Sequence, residues 1–175
     1  MAIVFELVAD FGEDVRAART AATAAAAHGP LPAGSHRIPL HPASLWTDPA
    51  GRVELSVVPA GVGIGVAMDA GLPDVGLNAA GFTELGRGLY DLLRGLRGYR
   101  AAAVGWDVES SADVGELRTE RAADPRGWAV DGLVLADRVL ADLGGDDRFV
   151  PFAAGSSWLP WEGVRPSSFT ADPGR

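Results

Sequence analysis

The segment IVFELVAD, residues 3–10, decides the fold class. Its side chains alternate between two faces, and the face that carries Glu6 also carries Val4 and Val8, so that both faces are largely apolar. A strand that is apolar on both faces belongs inside a sheet rather than at its edge. The segment therefore predicts a central β-strand.

A helix is expected directly after this strand. Asp10 and Glu13 have the spacing of a capping box, eight of the eleven residues 17–27 are Ala, and Gly29 would end the helix. The side-chain layer of such a helix is thin. We therefore expect it to pack on an equally shallow surface, the Gly/Ala face of a strand at 62–68.

The region from about residue 37 to residue 68 predicts three consecutive antiparallel strands. The sequence DPAG at 48–51 places Pro and Gly where a type I turn favours them, and residues 52–57 then alternate between polar and apolar. Residues 62–68 alternate between large apolar side chains and Gly or Ala. These patterns indicate a hairpin followed by a third strand.

Five further elements follow from the hydrophobic pattern. Apolar residues at three- and four-residue steps predict a long helix over 79–98, and alternation predicts a strand over 99–109. A short polar helix is expected at 111–124. Residues 131–143 begin with an apolar lead-in, a short stretch that is compatible with either a strand or a helix, and the rest of this segment predicts a helix. Residues 148–152 predict a last strand.

Together these elements predict an α+β fold in a single domain at residues 1–162. The expected sheet is mainly antiparallel and has five or six strands, with the helices packed mostly on one face. A chain of 175 residues is long enough for one domain with a substantial core. The Pro/Gly/Ser-rich residues 163–175 are expected to form a loosely ordered tail.

The composition excludes several kinds of chemistry. The chain has no Cys and no Lys, and its net charge is -8. Without Cys there is no disulfide framework, thiol nucleophile or Cys-ligated metal, and without Lys there is no Walker A loop or Schiff base. No motif indicates a cofactor. The acidic balance argues against nucleic-acid binding, and the absence of a signal peptide or an apolar span predicts a cytoplasmic protein that does not enter membranes.

Paired carboxylates are the strongest catalytic candidates. Asp107 and Glu109 are two residues apart on a predicted strand, which would place them on one face with Cα atoms about 7 Å apart. Such a pair could bind Mg²⁺ or act as an acid and a base, and Asp146 and Asp147 could join it. The alternative is an ordinary solvated strand edge, and nuclease sites of this kind usually add a Lys, which the chain lacks.

The negative charge is concentrated in one segment, since residues 101–150 hold eleven acidic residues and five Arg. This segment is either a solvated face or a docking surface for a cationic partner, whose association it would steer. The acidic residues at its centre are Asp107, Glu109, Asp113, Glu116, Glu120 and Asp124.

Two tryptophans near the C-terminus could accompany this acidic segment. Trp158 and Trp161 lie between Gly155 and Gly163, so they are not in the interior of a regular helix. They are either packed in the core or available as aromatic anchors of an interface.

We therefore expect an acidic protein-interaction domain that docks a basic protein through residues 107–124 and the nearby Trp158 and Trp161. No motif identifies a family, but size and charge are comparable to those of bacterial immunity or antitoxin-type inhibitors. The alternative is a small metal-dependent hydrolase or ligand-binding enzyme that uses Asp107 and Glu109, either for catalysis or as metal ligands.

Overall fold

A computed structural model describes residues 2–124, 128, 131–161 and 163–170 of the chain. These residues form an α+β fold. The strands are β1 (Phe5–Asp10), β2 (Leu31–Ala33), β3 (His36–Ile38), β4 (Ser44–Thr47), β5 (Val53–Val57), β6 (Ala101–Trp106), β7 (Val134–Ala136), β8 (Val150–Ala153) and β9 (Ser156–Trp158). The helices are α1 (Val15–Ala26), α2 (Ala79–Gly95), α3 (Val114–Ala123) and α4 (Asp137–Asp142).

An antiparallel sheet of seven strands organises the molecule, in the order β4-β5-β1-β6-β7-β9-β8, and β2 and β3 form a separate hairpin. β1 pairs with β5 on one side and with β6 on the other, and all six of its residues are buried. The predicted central position of this strand is therefore confirmed. The sheet is larger than the expected five or six strands, because the apolar lead-in of segment 131–143 forms strand β7 and the single strand predicted at 148–152 is a hairpin of two strands, β8 and β9.

The two faces of the sheet carry different helices. The longer helices α1 and α2 cover one face, where they pack on apolar side chains of β1, β5 and β6. The shorter α3 and α4 cover part of the other face, over β6 and β7. Because side chains alternate along each strand, the sheet contributes apolar side chains to a hydrophobic cluster on each of its faces.

The start of α1 differs from the expected capping box. β1 extends to Asp10, whose Oδ1 accepts a hydrogen bond from the Gly12 N–H at 2.6 Å, so Asp10 is not available as a helix cap. Asp14 takes that role, and its Oδ1 accepts a hydrogen bond from the Ala17 N–H at 2.9 Å.

The third strand expected at 62–68 is absent from the structure. Gly61 and Gly65 adopt φ values of +73° and +66°, which are incompatible with a continuous strand, and only Ile64 forms an isolated bridge, to Ile3. α1 packs instead against β4 and β5. The small side chains of α1 also allow the backbone that follows α2 to approach closely. A Cβ on Gly98, in that segment, would lie 2.7 Å from the Ala17 Cβ.

The β4–β5 hairpin and α2 are confirmed. The Gly51 N–H donates to the Asp48 carbonyl at 3.0 Å and so closes the predicted turn at 48–51. α2 begins after Asn78, whose Oδ1 caps the Gly81 N–H, and ends at Gly95. Within the part of the chain that the structure describes, no helix is both long and apolar enough to cross a membrane.

Candidate functional site

The candidate site is an acidic patch on the part of the second sheet face that α3 and α4 leave uncovered. β1, β4 and β5 form this part, and Glu54 lies directly opposite Asp10 on β1 and Trp46 on β4. We call the patch the acidic sheet face and define it by five residues: Glu6, Asp10, Trp46, Glu54 and Ser56.

Glu6 places a carboxyl group inside this patch. Only 6% of the surface of this residue is exposed. The Ser56 hydroxyl donates a hydrogen bond to Glu6 Oε2 at 2.5 Å. Burial raises the pKa of Glu6 to about 7, and the charges of Glu109 and Asp107 act in the same direction, while the Ser56 hydrogen bond lowers it. Glu6 is therefore only partly ionised at neutral pH.

Glu54 shares this behaviour on the neighbouring strand. Burial raises the pKa of Glu54 to about 7, and the negative charges of Glu109, Glu6, Asp10 and Asp113 add to the shift, in that order. Within the described residues neither Glu54 nor Glu6 forms an ion pair. When Glu54 and Glu6 are ionised, no described residue forms an ion pair that neutralises their charge.

Asp10 lies at the base of a small hollow beside Glu54. Its Oδ2 is buried without a hydrogen-bond partner, and Arg100 Nε, at 3.9 Å, is its ion-pair partner. The hollow has a volume of about 20 Å³, which is enough for one group the size of a water molecule. Its walls also include Trp46, Asp48, Arg52, Val53, Glu54 and Asp113.

Arg52 is the cationic side chain in the wall of this hollow. Its Nε lies 2.6 Å from Asp48 Oδ2 and its Nη1 lies 2.6 Å from Asp113 Oδ2, so its charge is divided between two carboxylates. The hydrogen bond from the Arg52 backbone N–H to Asp48 Oδ1, at 2.8 Å, is the main cause of a lowered pKa of Asp48, and the Arg52 side chain lowers this pKa further. Arg52 thus does not compensate the carboxyl group of Glu54.

The two carboxylates of the predicted catalytic pair do not project from one strand. β6 ends at Trp106, and Asp107 has a φ of +46°, so the expected strand through Glu109 is wrong at its end. Asp107 Oδ1 accepts a hydrogen bond from the Val4 N–H at 2.8 Å, and the Asp107 N–H donates to the Val4 carbonyl at 2.8 Å. Asp107 therefore fastens the start of β1.

Glu109 begins a 3-10 turn, Glu109–Ala112, and its side chain is exposed. Because its charge raises the pKa of both Glu6 and Glu54, it belongs electrostatically to the rim of the acidic sheet face. Asp113 lies on the same rim. It is also the N-cap of α3, since its Oδ1 accepts hydrogen bonds from the Gly115 and Glu116 N–H groups.

The remaining predicted acidic residues are placed on other surfaces. Glu116 and Glu120 are exposed on α3, and Asp124 is exposed at its end. Asp146 accepts hydrogen bonds from Trp128 Nε1 and from Arg148, which lower its pKa, so its carboxylate is already engaged. Asp147 is exposed beside it.

The two predicted aromatic anchors lie away from the acidic sheet face. Trp158 packs against the rings of Tyr90 and Phe152 on the α2 side, at centroid distances of 5.2 and 5.4 Å. Trp161 stacks on the guanidinium of Arg165 at 4.3 Å. The aromatic residue that borders the acidic sheet face is Trp46, which is 61% exposed.

Sequence reasoning did not single out Glu6, Glu54 or Trp46, although a signal for them was present. Both strand patterns place a Glu on the face opposite the large apolar side chains, and the turn at 48–51 fixes the register that sets Trp46 opposite Glu54. Two neighbouring strands with a carboxyl on the same face would have indicated the patch.

The chemistry of the patch differs from that of a metal site. Among residues 2–124, 128, 131–161 and 163–170, no three His, Asp or Glu side chains are arranged to hold a metal ion. Comparison with protein-family models, curated proteins and solved structures found no match.

Proposed function

We propose that this protein is an acidic protein-interaction domain that binds a basic partner protein through the acidic sheet face and its rim. The observation that carries the proposal is the placement of Glu6 and Glu54 on adjacent strands of one sheet face, with no ion pair to either carboxyl among the described residues. The pKa of each carboxyl is raised to about 7. A partner cation brought next to them would favour their ionised form and gain a charge-assisted hydrogen bond.

The hollow beside Glu54 suits an ammonium group. Its volume of about 20 Å³ admits a group the size of a water molecule, and the carboxyl-bearing residues Asp10 and Glu54 line it. A lysine ammonium is compact and has three donors, whereas a guanidinium is larger and planar. A lysine side chain of the partner is therefore the proposed occupant.

Trp46 would supply the apolar part of the interface. Its ring is exposed next to Glu54, and aromatic residues at the centre of an interface contribute much of the binding energy. A lysine stem could pack along the ring while its ammonium approaches the carboxyls.

The exposed carboxylates of segment 107–124 would extend the docking surface. Asp107, Glu109, Glu116 and Glu120 are all exposed there, and long-range attraction to a basic protein would increase the association rate. Size and charge comparable to those of bacterial immunity or antitoxin-type inhibitors make inhibition of a basic protein the proposed role.

Metal-dependent hydrolysis by Asp107 and Glu109 gains no support from their geometry, because Asp107 Oδ1 is hydrogen-bonded to the Val4 N–H.

A lysine-rich peptide tests the proposal. We expect decalysine to bind the wild-type protein, with an affinity that falls as salt rises, and Glu54→Gln or Trp46→Ala to weaken binding by about fivefold or more. Asp74→Asn is the matched control, because Asp74 is exposed and lines a different cavity, with Phe82 of α2. Equal losses in Glu54→Gln and Asp74→Asn would show that only net charge attracts the peptide.

A further inference from the structure

Arg165 is a buried cation between α2 and β6. The residue is only 3% exposed. Its side chain runs beside α2 at Gly86, where a Cβ would lie 2.5 Å from Arg165 Nε. A glycine at this position therefore leaves the space that the arginine occupies.

The contacts of this guanidinium are all with neutral groups. Its Nη1 donates to the Val104 carbonyl at 2.7 Å, its Nη2 donates to the Tyr90 hydroxyl at 3.1 Å, and the Trp161 ring lies 4.3 Å away. Within the described residues no carboxylate lies within 4 Å of it. A buried charge is costly unless it is paired, and these contacts use only two of the five N–H groups.

A cavity of about 290 Å³ adjoins this guanidinium, which forms part of its wall. Asp107 and Ser111 are its polar lining side chains besides Arg165. Trp161 also lines the cavity, and its indole N–H is buried without an acceptor. The walls are otherwise mainly apolar, formed by Phe5, Val104, Trp106, Val108, Pro166 and Phe169.

We propose that this cavity binds a small organic carboxylate, whose carboxyl group pairs with Arg165 and whose apolar body packs against the aromatic walls. A carboxylate would neutralise the buried cation and use its remaining donors, because guanidinium and carboxylate match in geometry. The volume is that of a small ligand pocket. The Asp107 carboxylate in the wall opposes a dianion, so a carboxylate fits the site better than a phosphate ester.

Three probes with the same phenyl ring separate the charge of the ligand from its apolar body. We expect 3-phenylpropionate to bind with a dissociation constant about tenfold lower than that of 3-phenyl-1-propanol, and 3-phenylpropylamine to bind more weakly than both, by isothermal titration calorimetry. Equal affinity of the alcohol and the carboxylate, or no saturable binding of the carboxylate, would overturn the proposal.

Two variants test the site itself. Arg165→Leu is expected to abolish the preference for the carboxylate over the alcohol, and an unchanged preference in a folded variant would contradict the role of Arg165.

Because this variant could fail to fold, Phe169→Ala provides a second measurement, since the Phe169 ring is 57% exposed at the cavity wall. Affinity for 3-phenylpropionate should fall about threefold or more in Phe169→Ala but stay unchanged in Val164→Ala. Val164 is exposed in the same segment and does not line the cavity. Equal affinities of these two variants would argue against the cavity as the site.

Discussion

Trp46 and Glu54 lie directly opposite each other on β4 and β5, on the face of the sheet that α3 and α4 leave uncovered. An exposed indole thus borders a carboxyl group whose pKa is raised to about 7. Side chains opposite each other on antiparallel strands are in reach of direct interaction. The ionisation of Glu54 should therefore be detectable from Trp46.

The fluorescence of Trp46 is expected to change with an inflection near pH 7. The signal of Trp46 is isolated as the difference between the wild-type protein and Trp46→Phe, since the chain has five tryptophans. Glu54→Gln should remove this inflection, because a neutral amide does not titrate. An inflection that persists unchanged in Glu54→Gln would show that another group is responsible.

Glu6→Gln is expected to change how stability depends on pH. The pKa of Glu6 is about 7 in the folded protein against a usual 4.5, so the folded state binds the proton more tightly. The contribution of Glu6 to the free energy of unfolding therefore falls as pH rises from about 4.5 to about 7 and is constant above that pH. This contribution changes by about 3 kcal/mol at most. Urea denaturation at pH 5 and pH 8 measures this.

The difference between the two proteins is the informative quantity, because Glu54, whose pKa is also raised to about 7, lowers stability over the same pH range. Asp48 and Asp146 have lowered pKa values, so both are ionised in the folded and the unfolded state between pH 5 and pH 8 and add no slope there. Glu6→Gln should be more stable than wild type at pH 8 and close to it at pH 5. The same slope in both proteins would contradict the raised pKa.

Gly132→Ala is expected to destabilise the fold strongly. A Cβ at position 132 would lie 2.1 Å from the Tyr90 hydroxyl oxygen, which donates to the Gly132 carbonyl at 2.8 Å and accepts from Arg165. We expect a loss of about 3 kcal/mol or more from overlap and disrupted hydrogen bonds. Gly144→Ala is the matched control, since it has a similar positive φ and open space around it. It should cost only about 1 kcal/mol from backbone strain, and equal losses in thermal unfolding would refute the contact.

Asp113 should show two separable roles. Asp113→Ala removes both the α3 cap and the ion pair with Arg52, and we expect a loss of about 1 to 2 kcal/mol by chemical denaturation. Asp113→Asn keeps a capping oxygen and removes the charge, so it should lose less than about 1 kcal/mol. If the two variants are equally unstable, capping contributes little.

The strongest periodic patterns were sufficient to predict the main elements. Alternation in β1 and β5 and the turn at 48–51 gave a hairpin and a central strand, because burial of apolar faces dominates both. Residues 62–68 alternate equally well, yet the positive φ of Gly65 breaks the strand. Alternation alone does not reveal backbone conformations that glycine permits.

The candidate site was harder to predict because it depends on contacts between distant segments. The turn after β6 puts Asp107 in a left-handed conformation, which is uncommon for a residue other than glycine and separates it from Glu109. The raised pKa of Glu54 results from burial together with the charges of carboxyls in the 109–113 segment and on β1. Sequence spacing places none of these groups relative to the others.

The central position of β1 has a consequence for synthesis of the chain. Phe5 of β1 pairs with Trp106 of β6, so the first strand lacks one of its two neighbours until more than a hundred residues have been translated. At 5 to 20 residues per second, this delay is roughly 5 to 20 s. During that time one hydrogen-bonding edge of an apolar strand is unpaired and open to solvent and to other chains.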